Sequence, residues 1–248
     1  MPVKKTSVKA KPTKKTVKPV KKVVSKKTEL VSLEKLLESG AHFGHQAKRW
    51  NPKMSEYLYG VEDGVHVFDL IKTKKCLENA LAFLKESKKE GKIILLLGTK
   101  KQAQEKIKEI GVATNTPYII ERFLGGTFTN FEQIKKSIKK MIDMKESLRK
   151  GEYADYTKKE KLLMAREIAD LEKKFSGIAN LTKLPDIIFI VDTHKEFGAV
   201  TEARKKNIKI VGLVDSNADP NIDFPIPMND DAVKALDYVL DLIKIALS

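Results

Sequence analysis

Residues 40–72 read GAHFGHQAKRWNPKMSEYLYGVEDGVHVFDLIK. Histidine, aromatic, basic and glycine positions succeed one another here in an order far more specific than any short motif, and the segment frames its neighbours. On its N-terminal side Leu33, Leu36 and Leu37 predict a short helix ending near Gly40, a residue suited to a left-handed C-terminal cap. Within it, Tyr57 to Asp69 alternates on either side of Val61-Glu62-Asp63-Gly64, which predicts a β-hairpin or paired extended strands.

Working towards the C-terminus, a helix from about Leu70 to Lys89 stops at Gly91. Lys92–Leu97 is then a continuous apolar run of the kind buried on both faces of a parallel sheet. Helix near Lys101–Ile110, strand at Pro117–Ile120, strand at Asp186–Val191, helix near Glu196–Asn207, strand at Ile208–Val214 and a final helix from Asn229 to Leu247 continue the alternation. The last helix aligns Val233, Leu236, Leu240, Ile243 and Leu247 on one face. Such a pattern predicts an α/β fold with a mostly parallel sheet and helices on both sides. Residues 130–178 break the rhythm. Phe131, Ile134, Ile138, Met141 and Leu148, then Leu162, Ala165, Ile168, Leu171 and Phe175, form two amphipathic stripes joined by a polar turn near Lys150–Tyr156. They predict an antiparallel helical hairpin inserted in a body that runs from residue 29 to 248.

The chain has 248 residues and a formal charge of +15. Residues 1–28 hold eleven lysines and no acidic residue, so only +4 remains for the rest. This Lys-Val-Thr-Ser-Pro segment has no aromatic residue and is expected to be disordered when free, because it buries too little apolar surface to offset ordering. It would serve either as a mobile counter-ion for RNA or as a solubilising spacer. So basic a chain calls for a polyanionic partner, most simply nucleic acid. Only five of its 48 basic residues are arginine; lysine neutralises phosphate without the planar fork that reads bases, which points to backbone and shape recognition. A single cysteine, Cys76, excludes an intrachain disulfide and a cysteine zinc cluster and fits a reducing cytoplasm. No apolar run has membrane-spanning length, and no membrane partner or small-molecule substrate is expected.

Four places carry candidate chemistry. Lys48, Arg49, Trp50, Asn51 and Lys53 set cations around the sole tryptophan, whose ring either stacks on an unpaired base or anchors the loop in the core. Gly98-Thr99-Lys100-Lys101 follows a strand and opens a helix, so its amides and both lysines suit an RNA phosphate; the complete phosphate-loop pattern is missing, and a plain turn is the alternative. Arg122 to Asn130 has paired glycines that permit close backbone approach, with Thr129 or Asn130 placed to cap the next helix. Lys135, Lys136, Lys139 and Lys140 recur at helical spacing, as either a solvated face or an RNA contact. His42 and His45 are expected to hydrogen-bond within a tight loop, and no metal or cofactor is expected, although Asp192 and Asp215 near neighbouring strand ends would suit a hard cation. No nucleophile-base set stands out, and no enzymatic activity is expected.

The opening segment, with IILLLGTKKQAQEKI (93–107), RFLGGTFTNFEQIKK (122–136) and IVGLVDSNADPNIDFPIPMNDDAVKAL (210–236), resembles the universal S-two family of the small ribosomal subunit. The resemblance runs from about Glu29 to the C-terminus and leaves the Lys-rich extension outside. One departure is Phe123, where the family usually has tryptophan. The resemblance implies a three-layer α/β sandwich with a protruding coiled coil. It also implies a structural role in assembly, with small-subunit rRNA and neighbouring ribosomal proteins as partners, among them the large mRNA-binding protein S-one. It moves the Trp50 loop towards anchoring with RNA contact by its basic members. Rival readings are a nucleotide-binding α/β enzyme, resting on the Gly98 turn, and a general nucleic-acid binder driven by the tail.

Overall fold

The computed structural model describes residues 31–151, 153 and 156–248. The disorder expected of residues 1–28 lies outside them. Helix α1 (Leu33–Glu38) is capped by Ser32, and the chain turns at Gly40 with φ +76°. Strands β1 (Phe43–Gln46), β2 (Leu58–Glu62) and β3 (Val65–Phe68) form an antiparallel sheet of three in the order β1-β3-β2. Asp63 and Gly64 turn the β2–β3 hairpin with φ of 49° and 78°, the doubly positive geometry that matches strand twist in a two-residue loop. Strand β1 has no local signal. It forms because β3 offers it a free edge, a partner some twenty residues away.

Helix α2 (Leu70–Lys89) starts under the Asp69 carboxylate, which accepts from the Ile71 and Lys72 N–H groups. Then follow β4 (Ile94–Leu97), α3 (Lys101–Ala113), β5 (Tyr118–Ile119), α4 (Phe131–Lys150), α5 (Lys158–Phe175), β6 (Ile187–Ile190), α6 (Phe197–Lys205), β7 (Lys209–Val214), β8 (Phe224–Pro227) and α7 (Val233–Leu247). Strands β4 to β8 make a second sheet of five, ordered β5-β4-β6-β7-β8, with every neighbour parallel. Successive strand residues point to opposite faces, so four consecutive apolar residues feed two cores. Ile94 and Leu96 pack with Leu77 and Leu84 of α2, Ile107 of α3 and Leu236 and Leu240 of α7. Leu95 and Leu97 pack with Phe131, Ile134 and Ile138 of α4, Phe175 of α5 and Val200 of α6. The result is a three-layer α/β body.

Besides β1, two elements differ from expectation. Strand β8 holds Pro225 and Pro227, residues that break a central strand, and it forms because it lies at the sheet edge, where a missing N–H costs no ladder bond. The last helix begins at Val233 rather than Asn229, since the Asn229 side chain accepts from the Asp231 and Ala232 N–H groups and holds a turn first. Helices α4 and α5 occupy the two amphipathic stripes. Burial on α4 ends at Met141, and on α5 only Ile168 and Phe175 are buried. Lys140–Glu167 and Lys145–Glu172 link the pair. Both ion pairs span the same sequence distance, whereas straight rungs between antiparallel helices would keep the sum of residue numbers constant. The two ion pairs are therefore not both level rungs, and they do not mark a regular coiled-coil ladder.

Tyr118 on edge strand β5 is wedged between two glycines. A Cβ on Gly111 of α3 would come within 2.3 Å of its ring, and one on Gly177 within 2.2 Å of its carbonyl oxygen. Alanine at Gly177 must displace backbone, so Gly177→Ala should destabilise the fold by about 1–3 kcal/mol in urea unfolding. Gly198→Ala, with open space around its Cβ, should change stability far less.

Candidate nucleic-acid interface

The signature segment is stitched to the C-terminal end of β7 through Ser216 and its neighbour Asp215. Ser216 accepts from the His45 N–H at its Oγ (2.8 Å) and from the Asn51 N–H at its carbonyl (2.7 Å). Gly44 packs so closely that a Cβ would stand 3.0 Å from Ser216 Oγ. The 3-10 turn Ala47–Arg49 then presents Lys48 and Arg49, both exposed, and a second turn, Pro52–Tyr57, follows. One face of Trp50 tilts over His66 with ring centres 4.9 Å apart, while 38% of the residue remains exposed. Asn51 caps the second turn by accepting from the Lys53 N–H (3.0 Å), and the Lys53 ammonium pairs with Asp219 (2.8 Å).

The Gly98-Lys100 turn is surrounded by acids, which makes it a poor anion cradle. Thr99 Oγ1 donates to the buried Glu196 carboxylate. Lys100 is 12% exposed, with its ammonium 2.6 Å from Asp230, 2.7 Å from Asp231 and 3.3 Å from Asp192. Neighbouring Lys101, at the start of α3, is exposed. Burial works against the Lys100 charge, but Asp230, Asp231 and Asp192 outweigh it and hold its pKa above the ordinary lysine value. Burial, then repulsion from Asp215 and Asp192, pushes the Asp230 carboxyl up to about 8, because one ammonium does not neutralise so many carboxylates. His45 Nδ1 lies 3.0 Å from Asp215, and this hydrogen bond raises the imidazole above its usual value against the opposing effect of burial. Among the described residues, His45, Asp215 and Asp231 bring ligand atoms within 4.8 Å of one another, a spacing that could hold a metal ion. The sequence pointed to Asp192 and Asp215 but not to Asp230 and Asp231, although adjacent carboxylates just before the last helix were a usable signal.

The loop before α4 is also an anion site with its own anion. Neither Thr129 nor Asn130 caps the helix with its side chain. Glu202 of α6 reaches across instead and accepts from the N–H groups of Gly126 (2.6 Å), Phe128 (3.0 Å) and Thr129 (3.1 Å). Burial opposes the Glu202 charge, yet these amides hold its carboxyl below the ordinary carboxylate range. Arg122 and Asn130 are left exposed beside it. Along α4, Lys135 pairs with Glu132 (3.2 Å) and lies over the Phe131 ring, and Lys140 pairs with Glu167 (2.6 Å). Lys136 and Lys139 are exposed and make no ion pair among the described residues. With Lys140, Met144 and Tyr153 they line an open groove of about 380 Å³.

A carboxyl whose folded pKa exceeds its unfolded value binds its proton more tightly in the native state, so its contribution is complete below the unfolded pKa and is lost as pH rises through the folded one. Asp230 should therefore make stability fall between pH of about 4 and about 8, and raised His45 acts in the same direction above the ordinary histidine range. Urea unfolding across this interval should show the decline, and Asp230→Asn should flatten it.

Residues 36–248 match the family model described as Ribosomal protein S2. The small ribosomal subunit protein uS2 of Coprothermobacter proteolyticus is 43% identical over 219 residues, which cover 88% of this chain and 82% of the relative. That of Roseiflexus castenholzii is 49% identical over 208 residues, covering 84% and 79%. That of Wolinella succinogenes is 45% identical over 208 residues, covering 84% and 77%. The matched region holds both sheets, the carboxylate cluster and the helix pair, and on that match this chain belongs to the ribosomal protein S2 family.

Proposed function

We propose that this chain holds small-subunit rRNA through phosphate and shape contacts rather than sequence readout, and so supports subunit assembly and translation. Membership of the ribosomal protein S2 family carries the reading. The chain is on that ground a structural constituent of the small ribosomal subunit, a cytoplasmic ribonucleoprotein, and not an enzyme. Neighbouring small-subunit proteins are the further partners, and docking of S-one is the finer expectation that the resemblance adds.

Support comes from how charge is distributed. Lys48, Arg49, Lys101, Arg122, Lys136 and Lys139 are exposed and meet no carboxylate among the described residues, so their charge is available to phosphate. Lys53, Lys135 and Lys140 must exchange a surface carboxylate for a phosphate, a small cost at exposed sites. Lys100 is the least available, because leaving its site would strand buried carboxylates. Trp50 keeps an open ring face, and Asn51 and Asn130 flank these cations. The tail's eleven lysines add charge, but the body is expected to bind without them.

Sucrose-gradient fractionation of a tagged chain should place it with small subunits after a high-salt wash, also when residues 1–28 are removed; recovery only in the soluble fraction would count against the reading. In salt titrations of rRNA binding, Lys136→Ala and Lys139→Ala should each reduce the slope of log affinity against log salt by roughly 0.7–0.9. Lys100→Met should leave that slope nearly unchanged and instead lower folding stability, since it unpairs buried carboxylates.

A further inference from the structure

A second cavity lies beside the signature segment. It measures about 310 Å³ and is formed where the β6–α6 turn, the residues after β7 and the signature loop meet. Thr193, Phe197, Arg204, Asn217, Asn51 and Asp219 contribute to its wall. Two of them have buried polar atoms with no hydrogen-bond partner among the described residues: Thr193 Oγ1, in a residue only 4% exposed, and Asn217 Oδ1. A buried polar atom left unpaired costs free energy, which a ligand recovers by drawing the side chain towards the cavity and pairing it. The Thr193 methyl packs over Gly212, where a Cβ would stand 2.6 Å from it.

The wall also defines what would fit. Thr193 can donate or accept, and the Asn217 amide can do both, the mixed pattern that the edge of a nucleobase presents. Phe197, at the first turn of α6, is 64% exposed beside this opening and supplies an aromatic face for stacking. Phosphate itself suits the wall poorly, because the Asp219 carboxylate forms part of it. The exposed cations are outside. Arg204 stands at the rim, and Lys48 and Arg49 belong to the same loop as Asn51. A base in the cavity with its flanking phosphates on those cations would use both features, and a strand reaches them where a free nucleotide reaches at most one.

We propose that the Thr193–Phe197–Asn217 cavity receives an unstacked nucleobase from a single-stranded part of small-subunit rRNA. The base stacks on Phe197 and pairs its polar edge with Thr193 and Asn217. The inference rests on the ribosomal reading above and adds a subsite to it.

The test is short-wave ultraviolet cross-linking of assembled small subunits, with mass spectrometry of the peptide–RNA adducts. A nucleotide adduct within residues 193–204 is expected. Adducts elsewhere in the chain but none there would overturn the subsite and leave RNA binding standing; the absence of any adduct would count against both. A cross-link from these residues to a ribosomal protein would also overturn the subsite. With purified full-length chain and small-subunit rRNA in filter binding, Phe197→Ala should weaken affinity by roughly five- to a hundredfold. The salt slope should stay unchanged, because stacking releases no counter-ion. Thr193→Val separates this role from a structural one. It removes a buried hydroxyl that has no partner, so the melting temperature should hold or rise while RNA affinity falls; unchanged affinity in both variants refutes the assignment. Adenosine and guanosine monophosphates should compete only weakly. Tight, saturable binding of either would assign the cavity to a free nucleotide instead.

Discussion

Burial of β4 and β6 on both faces is the constraint from which the rest follows. Ile94–Leu97 and Ile187–Ile190 are each buried at every position, so helices must cover the sheet above and below. Polar groups are then driven to the strand ends. At the C-terminal edge, where crossover turns begin, Lys100, Asp192, Asp215 and Asp230 collect with His45 from the signature loop. These groups sit in a place where water reaches them poorly, and they remain charged only in so far as they neutralise one another.

This arrangement separates two electrostatic roles that lysine plays in one chain. Lys100 is an internal counter-ion, and its charge is consumed by three carboxylates. Lys136 and Lys139 have no such partner among the described residues and are exposed beside a groove. The loop before α4 repeats the lesson with opposite sign. Its amides form an anion site, and Glu202 supplies the anion from within the fold. An apparent phosphate cradle in sequence is thus an internal junction in space, and the charge left at the surface belongs to side chains that meet no carboxylate among the described residues.

Ser216 joins the two halves of the site. By accepting from His45 and Asn51 it fixes the signature loop against the end of β7, so the loop's cations and the cavity behind Asn51 keep a defined relation to the sheet. The small antiparallel sheet supports this junction from the other side, with His66 of β3 under the Trp50 ring.

Sequence by itself determined the elements whose cause is local. The period-two and period-three-to-four apolar patterns gave the parallel strands and the amphipathic helices, Asp63-Gly64 gave the hairpin turn, and the ordered blocks of the signature gave the family. Tertiary structure alone decided everything that needed a distant partner. Strand β1 required β3, and β8 tolerated two prolines only because it became an edge. The loop before α4 was closed by Glu202, more than seventy positions away, and Lys100 met Asp230 and Asp231 across some 130 residues. A charged side chain looks alike in sequence whether it faces water or a buried carboxylate. Which of the two it meets is fixed only when the apolar strands, in escaping water, draw the ends of separate segments together.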